Sequence, residues 1–186
     1  MMGSRNGTSD QLVDDNDSVP SLYKWAGGAS AFEKLTAIFY RHVLEEPLLR
    51  PLFENMPPEH SQRVAMWIAE IFGGPKSYSE QFGKDRAHPR MMSRHLGLNI
   101  SEQQRFRWVE TMLRSADEAG FPTDPEFQSA FVAYMEWGTR IALIMSQPGM
   151  EVPEKSPMPK WGWGEVKPIL DSSGSKNKPT EEKQGE

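Results

Sequence analysis

The sequence predicts an all-α domain, because three kinds of signal agree. Between positions 21 and 147, apolar residues recur at the three- and four-residue spacing of helices. No stretch alternates polar and apolar residues for long enough to form a convincing strand. Residues that start and stop helices, such as Ser101 and Gly120, flank the apolar stripes. We therefore expect a set of helices packed around one core.

Two long helices are expected in the first half of the domain. Ser30 followed by Glu33 has the spacing of a capping box, which predicts that the first long helix begins at Ser30 and ends before Pro47. The second is predicted to run from near Pro58 to the break at Gly73. Their apolar faces carry Phe32, Leu35, Phe39, His42 and Val43 on the first helix, and His60, Val64, Trp67, Ile68 and Ile71 on the second.

Two more helices are expected in the second half. Ser101 with Gln104 predicts the start of the third long helix, and Gly120 predicts its end. Asp124 is the expected cap of the fourth, with Pro125 in its first turn. The fourth helix has the longest apolar stripe, which comprises Phe127, Phe131, Tyr134, Gly138, Ile141, Ala142 and Met145.

Three segments do not fit a simple helical bundle. The connection 73–100 is far longer than a bundle loop, and a large planar cofactor between the helices would give it a surface to cover. Residues 1–20 and 148–186 are polar and are predicted to be mostly disordered tails around a domain at 21–147. Trp161 and Trp163 are exceptions in the second tail: they either clip it onto the domain or lie exposed.

Composition limits the classes of protein that this chain can belong to. The chain has 186 residues, which suits one domain, and it has no cysteine, which excludes disulfides, zinc-thiolate sites and cysteine catalysis. Its formal charge of −5 argues against a nucleic-acid partner. No apolar stretch is long enough for a membrane span, and the start of the chain lacks the apolar middle of a signal peptide. We expect a cytoplasmic protein that is a monomer or a homodimer.

The segment from His88 to His95 contains a candidate ligand for haem iron. Imidazole is a common protein ligand of haem iron, and a single axial histidine leaves the opposite iron face free for a gas. A single histidine is more commonly a surface or core group, so the assignment of His95 depends on its surroundings. His88 lies seven residues earlier, about 10 Å along a helix, too far to share one small ion with His95.

Those surroundings are a series of short motifs in a fixed order through residues 21 to 146. The motifs are Leu22-Tyr23 with Gly27-Gly28, Phe39-Tyr40, Phe53 after Pro51, Gly73-Gly74-Pro75 with Tyr78-Ser79-Glu80-Gln81, His88-Pro89-Arg90 with Arg94-His95, and Trp108. With these motifs in this order, the sequence resembles group II truncated haemoglobins, the O-type branch of the bacterial-like short globins, whose fold places two helices over two around haem.

The resemblance implies a role for individual residues. His95 matches the proximal iron ligand of haem b, and Phe53 matches an aromatic residue that packs on the haem. Tyr40 and Trp108 match the distal tyrosine and indole, and both can donate a hydrogen bond to a ligand on the iron. His60 falls where the distal helix first faces the iron, and the remaining haem contacts expected on that helix are Val64, Trp67 and Ile68.

Two departures from the family pattern concern the haem edge and the end of the chain. The connection from Phe82 to Ala87 is several residues longer than usual, and the segment after Gln147 lies outside the resemblance. Arg86, Arg90 and Arg94 either pair with the haem propionates or are solvated at the surface, and Arg94 is the one we place at the cofactor.

Three functional hypotheses of different classes remain open. The first is a haem protein that binds oxygen, and also carbon monoxide or nitric oxide, at a five-coordinate iron in a polar pocket, for oxygen supply or transport. The second is an enzyme, either a nitric oxide dioxygenase or a peroxidase-like protein. It would need a separate reductase, since no flavin or nicotinamide motif is present. The third is a haem-free helical interaction module.

Overall fold

The computed structural model describes residues 19–164 and confirms the all-α fold class. Within this range there is no strand, and no helix is both long and apolar enough to cross a bilayer. The helices of this range are α1 (Leu22–Ala26), α2 (Ala29–Glu45), α3 (Arg50–Phe53), α4 (His60–Ile71), α5 (Ser77–Phe82), α6 (Ala87–Ser93), α7 (Glu102–Ala119) and α8 (Pro125–Met145).

The starts of the long helices confirm two of the predicted caps and correct a third. Ser101 caps α7 as predicted, in a capping box with Gln104, and Asp124 caps α8 by accepting a 2.9 Å bond from the backbone of Phe127. The predicted capping box at Ser30 is wrong, because α2 already begins at Ala29. The N-cap is instead Gly28, whose φ of 78° lets the chain turn sharply into α2 two residues before the predicted cap.

The four long helices pack in two pairs around an aromatic core. Helix α2 packs against α4 and α7, and α7 also packs against α8. This is the two-over-two arrangement expected from the sequence. The rings at its centre are fully buried and meet mostly edge to face, a favourable geometry for aromatic pairs. They belong to Phe32, Phe72, Phe121, Phe127 and Phe131.

The long connection between α4 and α7 contains α5 and α6, and it begins at a turn that only glycine fits. A Cβ on Gly74 would lie 2.6 Å from the carbonyl oxygen of Ala69 and 2.7 Å from the ring of Tyr23. The backbone therefore approaches α1 closely at this point. From there the chain passes through α5 and α6 to the turn that carries His95.

Residues 148–164, called here the C-terminal strap, lie against the domain. The Nε1 group of Trp161 donates a 3.0 Å bond to the carbonyl of Ala130, and that of Trp163 donates a 2.9 Å bond to the carbonyl of Pro20. Both indoles thus hold the strap in place. The domain limits of 21 and 147 remain predictions, and the disorder predicted for 1–18 and 165–186 lies outside the described residues.

Replacing Asp124 tests how the start of α8 is fixed. One carboxylate oxygen caps the helix, and the other accepts a 2.9 Å bond from Trp25 Nε1. We expect Asp124→Ala to lower the free energy of unfolding by about 2 kcal/mol, since a cap and a side-chain hydrogen bond contribute about 1 kcal/mol each. Asp124→Asn keeps one oxygen that can cap the helix, so its free energy of unfolding should lie between those of the unchanged protein and Asp124→Ala. Urea denaturation of the three proteins measures this, and equal midpoints would contradict it.

Candidate functional site

A cavity of about 400 Å³ lies between α4, the segment around α6, α7 and α8. This volume is within the range of pockets that hold small molecules or cofactors. The cavity brings together all nine site residues predicted from the sequence, although their roles stay predictions. They are Tyr40, Phe53, His60, Val64, Trp67, Ile68, Arg94, His95 and Trp108.

His95 stands in the turn just after α6, and one backbone contact fixes its imidazole. The ring Nδ1 lies 3.0 Å from the carbonyl oxygen of Met91. A carbonyl only accepts hydrogen bonds, so Nδ1 carries the proton and Nε2 keeps its lone pair. Burial lowers the pKa of His95, which favours the neutral ring. A neutral imidazole oriented through its other nitrogen is the usual form of a metal-ligating histidine.

Tyr40 and His60 form a hydrogen-bonded pair on another part of the wall. The Tyr40 hydroxyl oxygen lies 2.9 Å from His60 Nε2. Burial, and then the positive charge of Arg63, lower the pKa of His60, so its ring is held neutral. Burial raises the pKa of Tyr40, which keeps its hydroxyl protonated. We therefore infer that the Tyr40 hydroxyl donates to Nε2 of a neutral His60.

Aromatic neighbours hold the other polar donor of this wall, Trp108. Its ring packs edge to face on Phe39 at 4.8 Å between centroids, and Phe39 packs in turn on Tyr40 at 4.9 Å. No hydrogen-bond acceptor within residues 19–164 is paired with Trp108 Nε1. The indole N–H of Trp108 is thus free to donate. Phe53, on the same wall, packs on both rings of the Tyr40 and His60 pair.

Helix α4 supplies the apolar part of the wall at helical spacing. Val64 and Ile68 are four residues apart and share one face of the helix. Trp67, also on the wall, is only 7% exposed and donates a 2.8 Å hydrogen bond through Nε1 to the Tyr134 hydroxyl. The indole is thus fixed at its polar end as well as by packing.

Four arginines belong to the wall, and one of them, Arg105, is ion-paired with Glu102 and Glu136. The other three, Arg63, Arg90 and Arg94, give this part of an acidic protein a positive charge. Arg63 has a loose 4.0 Å contact with Glu59, and the Arg90 guanidinium lies over the Phe82 ring at 4.3 Å. Arg94 is exposed and forms no ion pair within the described range. Arg86, also considered for the cofactor, is exposed and does not belong to the wall.

Some wall residues were not predicted from the sequence. Arg63 lies one helical turn after His60, so the spacing on α4 could have revealed it. Tyr134 was placed on the stripe of α8, and Trp137 lies one helical turn after it at the edge of that stripe, so the same spacing could have revealed it. The carbonyl of Met91 could not be predicted, because a backbone acceptor leaves no trace in the residue type.

The polar side chains of the cavity wall fit a metal that is held in a macrocycle better than they fit a bare metal ion. Within residues 19–164, no cluster of three or more histidine or acidic side chains could hold a metal ion by itself. A metal already held by four macrocycle nitrogens needs only one axial ligand, and the neutral His95 ring on a largely apolar cavity can supply it. A two-over-two helical fold around such a cavity defines a globin.

Comparison with known proteins supports the same class. The family model described as bacterial-like globin matches residues 21–137, and the chain belongs to this family. The resemblance to group II truncated haemoglobins is confirmed by the neighbours of the chain. Since globins of this family bind haem, the family implies a haem cofactor and a diatomic gas ligand.

Three relatives illustrate the similarity. The group 2 truncated hemoglobin of Bacillus subtilis is 29% identical over 93 residues, which cover 50% of this chain and 67% of that protein. The structure of hemoglobin from Chloroflexus aurantiacus is 32% identical, with a TM-score of 0.58, and covers 67% of this chain and 98% of that one. A truncated oxygen-avid haemoglobin structure from Bacillus subtilis is 25% identical, with a TM-score of 0.58, and covers 67% of this chain and 99% of that one.

Proposed function

We propose that this protein binds haem b through His95 and uses it to bind oxygen and other diatomic gases reversibly. The observation that carries the proposal is the neutral His95 ring, whose Nδ1 is bonded to the Met91 carbonyl and whose Nε2 is left as a ligand atom. A ferrous haem with one axial histidine supplies an open iron face for a gas. The description of a Bacillus subtilis relative as oxygen-avid is consistent with this.

The polar groups of the wall would favour oxygen over a gas that gains less negative charge on binding to iron. Oxygen on ferrous haem acquires negative charge, so a donor held in an apolar cavity stabilises it by about 1.5 to 3 kcal/mol. Trp108 has a free N–H for this, and Tyr40 has a hydroxyl that must leave His60 to provide a bond. Carbon monoxide carries less charge and gains less from the same donors.

The positive part of the wall suits the propionate groups of haem. Arg94 and Arg63 both belong to it, and Arg94 has no acidic partner within residues 19–164. Guanidinium groups bind carboxylates with paired, charge-assisted hydrogen bonds. We propose that Arg94, and Arg63 one turn after His60, bind the propionates. The separate reductase, the cytoplasmic location and the oligomeric state stay predictions.

Absorption spectroscopy of the purified full chain tests this function. We expect haemin to bind with one equivalent per chain and to give a Soret band. The ferrous form should be five-coordinate and convert to sharp carbon monoxide and oxygen complexes, since His95 is the axial ligand that we propose and His60 Nε2 is engaged with the Tyr40 hydroxyl. A chain that takes up no haemin overturns the proposal in favour of a haem-free module. A haem-loaded protein that binds neither carbon monoxide nor oxygen after reduction would overturn the gas-binding part of the proposal.

A further inference from the structure

Four aromatic side chains connect the cavity to the surface strap. Trp67, Tyr134 and Trp137 belong to the cavity wall, whereas Trp161 belongs to the strap and is half-buried. Trp67 Nε1 donates a 2.8 Å bond to the Tyr134 hydroxyl, and the Tyr134 and Trp161 rings are 5.6 Å apart between centroids. The Trp137 and Trp161 rings are 5.7 Å apart. The rings thus form a continuous path, called here the aromatic chain.

These side chains are also among the easiest in this protein to oxidise by one electron. The sequence has no cysteine, so no thiol competes with indole and phenol rings for an oxidising equivalent. Within residues 19–164, the Tyr134 hydroxyl accepts from Trp67 but has no acceptor for its own proton. Oxidised tyrosine must lose that proton, whereas an indole can lose an electron and keep its N–H. The tryptophans are therefore the side chains on which a radical is stabilised, and Tyr134 lies between them.

We propose that Trp161 is the surface end of an electron path that runs along the aromatic chain to the haem pocket. This rests on the proposed haem function and assigns the site a peroxide-reducing activity. Hydrogen peroxide takes two electrons and two solvent protons as its O–O bond breaks, and it yields two water molecules. The electrons leave Trp161 one at a time, each leaving an indole radical cation. An external one-electron reductant of the ascorbate class restores the indole.

The strap itself offers a matched comparison in Trp163. Trp161 and Trp163 are two residues apart, both half-buried, and both donate Nε1 to a backbone carbonyl. Trp163 packs on Trp25 and Phe127, and it has no ring contact with the aromatic chain. Peroxide that attacks from solvent should therefore oxidise the two indoles alike. Oxidation driven from the haem pocket should reach Trp161 and spare Trp163.

The test compares oxidation of these two tryptophans in the full chain with and without haemin. Haem content is first read from the Soret band of the same sample, which is then treated with equimolar hydrogen peroxide and mapped by peptide mass spectrometry. We expect several-fold more oxidation at Trp161 than at Trp163 with haem, and equal, lower oxidation without it. A full Soret band with equal oxidation of both overturns the electron path alone. Absence of a Soret band overturns the haem function with it.

Radical detection with variants provides a second measurement. Freeze-quenched samples of haem-loaded protein should show a tryptophan radical by electron paramagnetic resonance. The Trp137→Phe/Trp161→Phe double variant keeps aromatic packing and should lose most of this signal. Trp163→Phe changes the same strap and should keep the signal. Ascorbate that is present during the peroxide treatment should remove the signal, because it reduces the indole radical. An undiminished radical in the double variant overturns the proposal.

Discussion

Haem affinity should fall by at least about a hundredfold when His95 is replaced by glycine. Loss of a group that only hydrogen-bonds to a metal ligand already lowers metal affinity about 10–100-fold, and loss of the ligand itself should cost more. The imidazole is the axial ligand that we propose, and its orientation depends on the 3.0 Å contact between Nδ1 and the Met91 carbonyl. Removing the ring leaves a space of its own size beside the cavity. Free imidazole should therefore restore much of the affinity, as measured by haemin titration of the Soret band.

His88 provides the matched control for this replacement. It is also a histidine of the cavity wall, and its Nδ1 is likewise engaged, at 3.0 Å with both Ser156 Oγ and the Pro157 carbonyl of the strap. It differs from His95 in that its ring packs on Trp67 and that it does not match the proximal ligand of the family. His88→Gly should retain haem with an unchanged Soret maximum. If His95→Gly kept full haem occupancy and the original spectrum, the axial ligand would have to be another residue, and His60 would be the first to examine.

The long helices and many site residues could be predicted because their signals are local or ordered along the chain. The caps at Ser101 and Asp124 are short side-chain patterns, and the structure has both. Five of the nine predicted site residues, Tyr40, Phe53, Arg94, His95 and Trp108, were found through motifs in a fixed order. The other four came from the helical spacing on α4, and all nine share one cavity. Ser30 shows the limit of such patterns, since a glycine turn started α2 before the capping residue could act.

Features that depend on contacts between distant segments could not be predicted. The two departures from the family pattern, the longer connection 82–87 and the extension after Gln147, were seen separately in the sequence. In the structure they meet, because the Ser156 N–H donates a 3.0 Å bond to the carbonyl of Asp85. Backbone contacts of this kind leave no residue signature. The sequence left open whether Trp161 and Trp163 clip the tail onto the domain or lie exposed, and the structure shows that they clip it.

Oxygen release should become about tenfold faster or more in Trp108→Phe, because loss of one hydrogen bond to a charged acceptor costs about 1.5 to 3 kcal/mol. Within residues 19–164 the Trp108 N–H has no competing acceptor, so the bound gas loses its full contribution. Phenylalanine keeps the edge-to-face contact with Phe39. Stopped-flow displacement of oxygen by carbon monoxide measures the rate.

Tyr40→Phe should speed oxygen release less than Trp108→Phe does. Without gas the Tyr40 hydroxyl already donates to His60 Nε2 at 2.9 Å, so turning to oxygen exchanges one hydrogen bond for another. The same reasoning predicts that His60→Leu frees the hydroxyl and slows oxygen release. Carbon monoxide release should change little in all three variants, because this ligand carries less charge. Faster oxygen release in His60→Leu would contradict this, since it would make His60 itself a donor to the gas.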